Sequence, residues 1–306
     1  MTSADTRSAV YGVPPLDLAE RDAQAVQVSP LIPGSRAPED LAAASLDAFT
    51  LLAPPGTVER RYALAQALRA LKPGGSLVAM AHKDKGGGRL RKELQAFGCA
   101  VEESAKRHHR IAYAERHGAP LGLDEAIAEG SPRLVQSLGL WSQPGVFSWD
   151  RIDPGTALLL QHLPALAGAG ADLGCGVGVL ARTVLASPKV TALALIDIDR
   201  RAIEAARRNI VDARVTITWA DAASDAVPLD GLDFVVMNPP FHDGGTEDKS
   251  LGQRFIARAH RALRKGGTAW LVANMHLPYE PVLEPLFAKV ERRALAGGYK
   301  VFEARK

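Results

Sequence analysis

Short apolar runs that stop at turn residues recur along this chain, each followed by a stretch with helical spacing. Phe49-Thr50-Leu51-Leu52 runs into Ala53-Pro54-Pro55-Gly56. A helix is predicted through Tyr62 to Leu71, then a turn at Lys72-Pro73-Gly74-Gly75 and a strand from Ser76 to Ala81. In the later half, Phe234-Val235-Val236-Met237 runs into Asn238-Pro239-Pro240. A helix from about Leu251 to Leu263, a turn at Arg264-Lys265-Gly266-Gly267 and a strand from Thr268 to Ala273 follow. Ala-Leu-Arg-Ala-Leu-Lys-Pro-Gly-Gly (67–75) answers Ala-His-Arg-Ala-Leu-Arg-Lys-Gly-Gly (259–267), and Arg110 to Ala114 answers Lys300 to Ala304. An internal repeat of this length predicts two copies of one α/β domain with parallel-sheet strands.

Elsewhere the pattern is less regular. Residues 1 to about 40 are polar and rich in Pro and Ala, predicting turns around one helix. Residues 117–143 read as a linker with short helical pieces at Leu123 to Ala128 and Pro132 to Leu138. The expected domains are therefore 1–116 and 144–306. In the second, Asp153 caps a helix that begins at Pro154 and ends near Leu163. Strands are predicted at Val190 to Ile196 and Val215 to Trp219, with a helix from Arg200 to Asn209 capped by Asp199. Trp149 follows no assignable pattern.

The chemistry gathers at predicted strand ends. Two prolines cannot continue a central strand, so the chain leaves the sheet at Asn238, on the edge where open α/β sheets bind ligands. The Asn238 amide oxygen and the Pro239 carbonyl can both accept from one planar amine, with Phe241 stacked on the group bearing it. Two acceptors on an –NH2 localise its lone pair and aim it at an electrophile. The motif resembles that of methyltransferases acting on exocyclic amines. Upstream, Asp172-Leu173-Gly174-Cys175-Gly176-Val177-Gly178 forms a glycine loop. A dinucleotide fingerprint needs glycine at its sixth position, where Val179 stands. Asp172 suits a ligand with an ammonium group and no phosphate, which favours S-adenosyl-L-methionine. Asp197 is placed to accept ribose hydroxyls, and Asp221 the adenine amine. Cys175 is expected to pack, since it has no evident base.

Composition changes little. With 306 residues, 47% apolar and 23% charged, the chain is globular, and a net charge of +3 permits an RNA substrate without requiring one. No run approaches a membrane span and no signal pattern opens the chain, so a reducing cytoplasm is expected. Two cysteines, and histidines without partners at ligand spacing, argue against a metal. Ala53 stands where the second copy has Asn238, and the first copy lacks a glycine loop, so it is expected to have kept the fold and lost the chemistry. Its basic segment, with Lys85, Arg89 and Arg91 around Gly86-Gly87-Gly88, reads first as a solvated loop and second as a phosphate or RNA contact. Lys106 to Arg110 is ambiguous in the same way.

Pro-Gly-Val-Phe-Ser (144–148), the glycine loop (172–178), Asn-Pro-Pro-Phe-His-Asp-Gly (238–244), Val-Ala-Asn-Met-His-Leu-Pro-Tyr (272–279) and Tyr-Lys-Val-Phe (299–302) together resemble the bacterial ribosomal RNA guanine-N2 methyltransferases. The likeness covers nearly the whole chain and is weakest over residues 1–45. It implies two tandem Rossmann-like class I methyltransferase domains, the first degenerate and the second active. It also implies that Asn238, Pro239 and Phe241 hold the target guanine while Asp172, Gly174, Asp197 and Asp221 hold S-adenosylmethionine. The full expected cofactor set adds Cys175, Gly176, Gly178, Ile198, Ala222, Phe147 and Asn238. The expected substrate set is Pro240, His242, Lys85, Arg89 and Arg91, with His242 an RNA-contacting or structural residue before a base. Ribosomal RNA or a ribosomal subunit is the expected partner of a monomer that uses no membrane and no metal. An RNA adenine or a protein glutamine remains the alternative acceptor, and a non-catalytic RNA-binding protein the third reading.

Overall fold

The computed structural model describes residues 7–19, 22–240, 242–243, 246–247 and 249–306. The chain divides into two units, Met1–Ser131 and Pro132–Lys306.

In the first unit the apolar run at 49–52 is the end of a strand, β3 (Leu46–Leu52). It lies between β1 (Ser8–Tyr11) and β4 (Leu71–His82), with β2 (Val26–Val28), β5 (Val101–Lys106) and β6 (His109–Glu115) completing the sheet. The order is β2-β1-β3-β4-β6-β5, parallel except for the pairings of β6 with β4 and β5. Helices α1 (Thr57–Ala70), α2 (Leu90–Ala96) and α3 (Leu123–Gly130) belong to this unit. Residues expected as turns around a helix before 40 thus contribute two short strands, and no α-helix lies there among the described residues.

The second unit opens with the β7–β8 hairpin (Arg133–Val135, Leu140–Ser142), so the helical piece expected at 132–138 is corrected to strand. Gly139, at φ +60°, takes the left-handed position that closes the hairpin. Its sheet comprises β9 (Gly168–Leu173), β10 (Val190–Asp197), β11 (Val215–Trp219), β12 (Leu232–Met237), β15 (Leu263–Asn274), β16 (Lys289–Ala296) and β17 (Tyr299–Arg305). The order is β11-β10-β9-β12-β15-β17-β16, with β17 antiparallel to both neighbours. A small hairpin, β13 (His242–Asp243) with β14 (Thr246–Glu247), follows β12. The helices are α4 (Pro154–His162), α5 (Val179–Leu185), α6 (Arg200–Asn209), α7 (Lys249–Ala262) and α8 (Glu280–Leu283). Residues 117–143 are therefore shared between the two units and do not stand apart as a linker.

The two sheets match strand for strand, except that the first has no equivalent of β11 among its described residues. The likeness reaches single atoms. Both register shifts skip an aspartate, Asp47 in β3 and Asp233 in β12. Asp47 accepts from the Arg7 amide at 3.0 Å and pairs with Lys72, while Asp233 accepts from the Ala169 amide at 2.8 Å and pairs with Arg264. The Lys-Pro-Gly-Gly and Arg-Lys-Gly-Gly stretches, expected as turns, lie inside β4 and β15 at these shifts. Gly74 and Gly266 take φ +80° and +79°, and the next glycine in each lies so close to a carbonyl that a Cβ would sit 3.0 Å or less from it.

The units diverge where each central strand ends. In the first, Arg60 of α1 is fully buried and its guanidinium donates to Glu93 at 2.8 and 2.7 Å. Nη1 donates to the carbonyls of Pro55 at 2.7 Å and Pro54 at 3.4 Å. Gly86 makes room for it, since a Cβ there would lie 2.2 Å from Nη1. Gly86 thus serves close packing, and Gly87 likewise presses on the Ala81 carbonyl, whereas a Cβ on Gly88 would meet nothing. Removing one partner of a buried pair strands the other charge. The Arg60→Met variant is expected to lose about 3–5 kcal/mol of first-unit stability in urea unfolding. A loss below about 1 kcal/mol, the range of exposed pairs, would show the pair to be solvated.

Candidate active site

Four adjacent parallel strands of the second unit, β11, β10, β9 and β12, deliver their carboxyl ends to one edge of the sheet. Each carries a side chain singled out from sequence. Asp172 is the penultimate residue of β9, opposite Leu195 and Val236, and is fully buried. Neither of its carboxylate oxygens has a hydrogen-bond partner among the described residues. Burial, and secondarily the charge of Asp197, pushes its carboxyl up to about 8. An ionised carboxylate with no partner is expensive to bury, so this group must hold a proton or meet a cation.

The loop after β9 turns sharply through Gly174, Gly176 and Gly178, at φ +75°, +53° and +92°, which is backbone that other residues adopt at a cost. The amides of Gly174 and Cys175 donate to the Ile196 carbonyl, at 2.8 and 3.1 Å, which ties the loop to β10. Asp197 closes the arrangement, accepting from the Gly176 amide through Oδ2 and the Asp199 amide through Oδ1, both at 2.8 Å. Burial raises it to about 6 against the opposing pull of these amides. Asp199 caps α6 through the Arg201 amide and also pairs with the Arg201 guanidinium. Asp221 accepts from the Ala223 amide at 2.9 Å, so it does form a turn. Ala222 beside it is buried, Ile198 is exposed and its carbonyl takes the Trp219 indole N–H at 2.7 Å. Phe147 is 66% exposed. Cys175 is buried in a core that includes residues of α5, β10 and β12, where burial holds its thiol well above the usual range. Trp149 packs with Leu140, Val146 and Val177 and lies under the Arg133 guanidinium.

Asn238 follows β12 directly. Its Nδ2 donates to Asp153 Oδ2 and to Thr156 Oγ1, each at 2.9 Å. The same Asp153 oxygen accepts from the Thr156 amide at 2.8 Å, which is the expected N-cap of α4. Sequence reading assigned Asp153 the cap alone and gave Thr156 no role. The loop–helix spacing held no signal for either, because the partner lies more than 80 residues away. Phe241 and the His242 side chain lie outside the described residues. Lys85, Arg89 and Arg91 belong to the first unit, where the two arginines are exposed. No group of histidines, cysteines and carboxylates able to hold a metal occurs among the described residues, and no described helix is long and apolar enough to cross a membrane.

A glycine loop before a helix, an orphaned acid just ahead of it and Asn-Pro-Pro directly after the adjacent strand define a class I S-adenosylmethionine-dependent methyltransferase. Residues 137–303 match the Methyltransferase small domain family. The chain is 34% identical over 268 residues to the ribosomal RNA small subunit methyltransferase C of Pseudomonas entomophila, covering 85% of this chain and 79% of that protein. With the enzyme of the same name from Pseudomonas putida the identity is 32% over 282 residues, covering 89% and 81%. The T. thermophilus 16S rRNA N2 methyltransferase, solved with S-adenosylmethionine and guanosine, superposes with a TM-score of 0.78 at 25% identity, covering 100% of this chain and 90% of that one. The chain belongs to the ribosomal RNA small subunit methyltransferase C family.

Proposed function

We infer that this protein methylates the exocyclic N2 amine of a guanine in small-subunit ribosomal RNA, using S-adenosylmethionine, and that its second unit carries the chemistry. The observation that carries the reading is the partnerless, fully buried Asp172 carboxylate one strand away from Asn238. A ligand with an ammonium group satisfies that carboxylate, and the glycines beside it, lacking side chains, leave room for backbone to approach the same ligand. Asp172, the loop glycines and Asp197 would hold the cofactor, with Asp221 toward the adenine. When bound, the cofactor supplies a methyl group made electrophilic by its sulfonium. The Asn238 Oδ1 and the Pro239 carbonyl accept from the guanine amine, hold it in line and localise its lone pair, so the gain is orientation and electrostatics. The methylated amine is acidic and releases its proton afterwards, so no base is needed before transfer.

The first unit is assigned to RNA positioning. Ala53 offers no side-chain acceptor, and the carbonyls that would face an amine there, Pro54 and Pro55, are already taken by Arg60. Its exposed cations Arg89 and Arg91, with Lys85 beside them, would contact phosphate. Incubation with methyl-labelled cofactor and separate ribosomal subunits, followed by mapping of the label, tests the reading. Label on a guanine N2 of the small subunit is expected, and label confined to adenine or to protein would replace it. Neutralising Lys85, Arg89 and Arg91 together is expected to weaken RNA binding and flatten its salt dependence. The slope of log affinity against log salt should fall by about 0.7–0.9 for each phosphate that is no longer neutralised. An unchanged salt slope would move the RNA surface elsewhere.

A further inference from the structure

A carboxamide can accept from an amine only when turned with its oxygen toward it, and its other rotamer presents two donors instead. Asn238 therefore needs something to fix its amide, and the first turn of α4 provides it. Both Nδ2 protons are engaged, by Asp153 Oδ2 and by Thr156 Oγ1 at 2.9 Å each. A carboxylate only accepts, so the flipped amide would place Oδ1 against Asp153 Oδ2 and forfeit the bond. The two partners are held in turn. Asp153 is fixed by the Thr156 amide at 2.8 Å, and Gly155 between them admits the Tyr299 ring so closely that a Cβ would lie 2.8 Å from it. Helix capping explains the bond from Asp153 to the Thr156 amide. It does not explain why both side chains also reach an amide on β12's far end, 85 and 82 residues along the chain.

We propose that Asp153 and Thr156 are positioning residues for the methyl transfer, locking the Asn238 amide with Oδ1 presented to the acceptor amine. The Asp153 charge acts through the Nδ2–H bond and makes that oxygen the stronger acceptor, as linked hydrogen bonds polarise one another. The proposal rests on the reading of the site as an amine methyltransferase.

Three variants test it. Thr156→Val keeps the side-chain shape and removes the acceptor, Thr156→Ser restores the hydroxyl, and Asp153→Ser keeps a good N-cap while being too short to reach Asn238. Turnover and KM on small ribosomal subunits, affinity for S-adenosylhomocysteine and melting temperature are measured for each. Loss of amide alignment is expected to lower kcat about tenfold in Thr156→Val and in Asp153→Ser, and toward about 100-fold when they are combined. KM and product affinity should hold, and Thr156→Ser should recover most of the wild-type rate. Wild-type turnover in Thr156→Val overturns the proposal. So does a loss that Thr156→Ser fails to rescue, or one that follows melting temperature or product affinity, since either marks a merely structural role. No transfer by the wild-type protein would instead sink the methyltransferase reading itself.

Discussion

Replacing Asn238 with Ala should reduce turnover by about 10²–10³-fold, the range seen when one preorganised polar group is removed from a transition state. Affinity for S-adenosylhomocysteine, measured by calorimetry, should stay close to that of the wild type. The separation follows from the sheet. Asn238 lies at the end of β12, whereas the glycine loop and Asp197 hang from β9 and β10 and are tied together through the Ile196 carbonyl and the Gly176 amide. Removing the amide leaves those bonds untouched. Asp153 keeps its cap on the Thr156 amide, so the fold of α4 is also preserved. What is lost is one of two acceptors on the incoming amine, and with it both the localisation of the lone pair and the fixed plane. The rate and the rate over KM should fall together, as expected for an interaction that strengthens in the transition state. Turnover within severalfold of the wild type would mean that the Pro239 carbonyl suffices, and the paired-acceptor mechanism would fail.

Much of this arrangement was legible in the residues because it depends on local grammar. Proline pairs end strands, glycines mark the loop, and acids at strand ends must share an edge once the sheet is parallel. The repeat was legible for the same reason, since both copies keep the apolar run, the helix and the paired glycines. What stayed hidden is held by partners distant in sequence. β1 and β2 are four and three residues long, too short for periodicity, and exist because they pair in parallel with each other while β1 also pairs with β3. The Lys-Pro-Gly-Gly stretch has turn composition, yet its second glycine lets the backbone pass a carbonyl inside a continuous strand. Arg60 precedes the predicted helix and carried no sequence signal, and only Glu93 and the prolyl carbonyls explain its burial. Asp153 looked complete as a helix cap. Its second bond depends on where β12 ends, which capping preferences do not encode.

The affinity of the protein for S-adenosylhomocysteine is expected to rise with pH from 6 to about 8. In the ligand-free protein burial pushes Asp172 up to about 8, with the charge of Asp197 adding to it, so at pH 6 the carboxyl holds its proton. Binding an ammonium group requires the carboxylate, and below pH 8 that proton must be released. Affinity should therefore climb toward the limit of about tenfold per pH unit well below the transition. Once the pH exceeds the pKa of the ligand's own α-amino group, that group loses its charge and the affinity turns down. Folding stability carries the opposite sign. The folded-state pKa of Asp172 lies above its unfolded value of about 3.9, so the folded protein binds more protons between these values. The stabilisation present below pH 4 is lost as pH rises through 8, because the ionised group has no partner in the ligand-free state. The Asp172→Asn variant removes this titration. It should bind S-adenosylhomocysteine more weakly, by about 1.5–3 kcal/mol for a lost charged partner, and lose the rising limb of the pH profile. Without ligand, its melting temperature relative to the wild type should improve steadily from pH 6 to pH 8. A wild-type affinity flat across that interval, or an Asp172→Asn variant that binds as tightly as the wild type, would show that Asp172 does not meet the ammonium group.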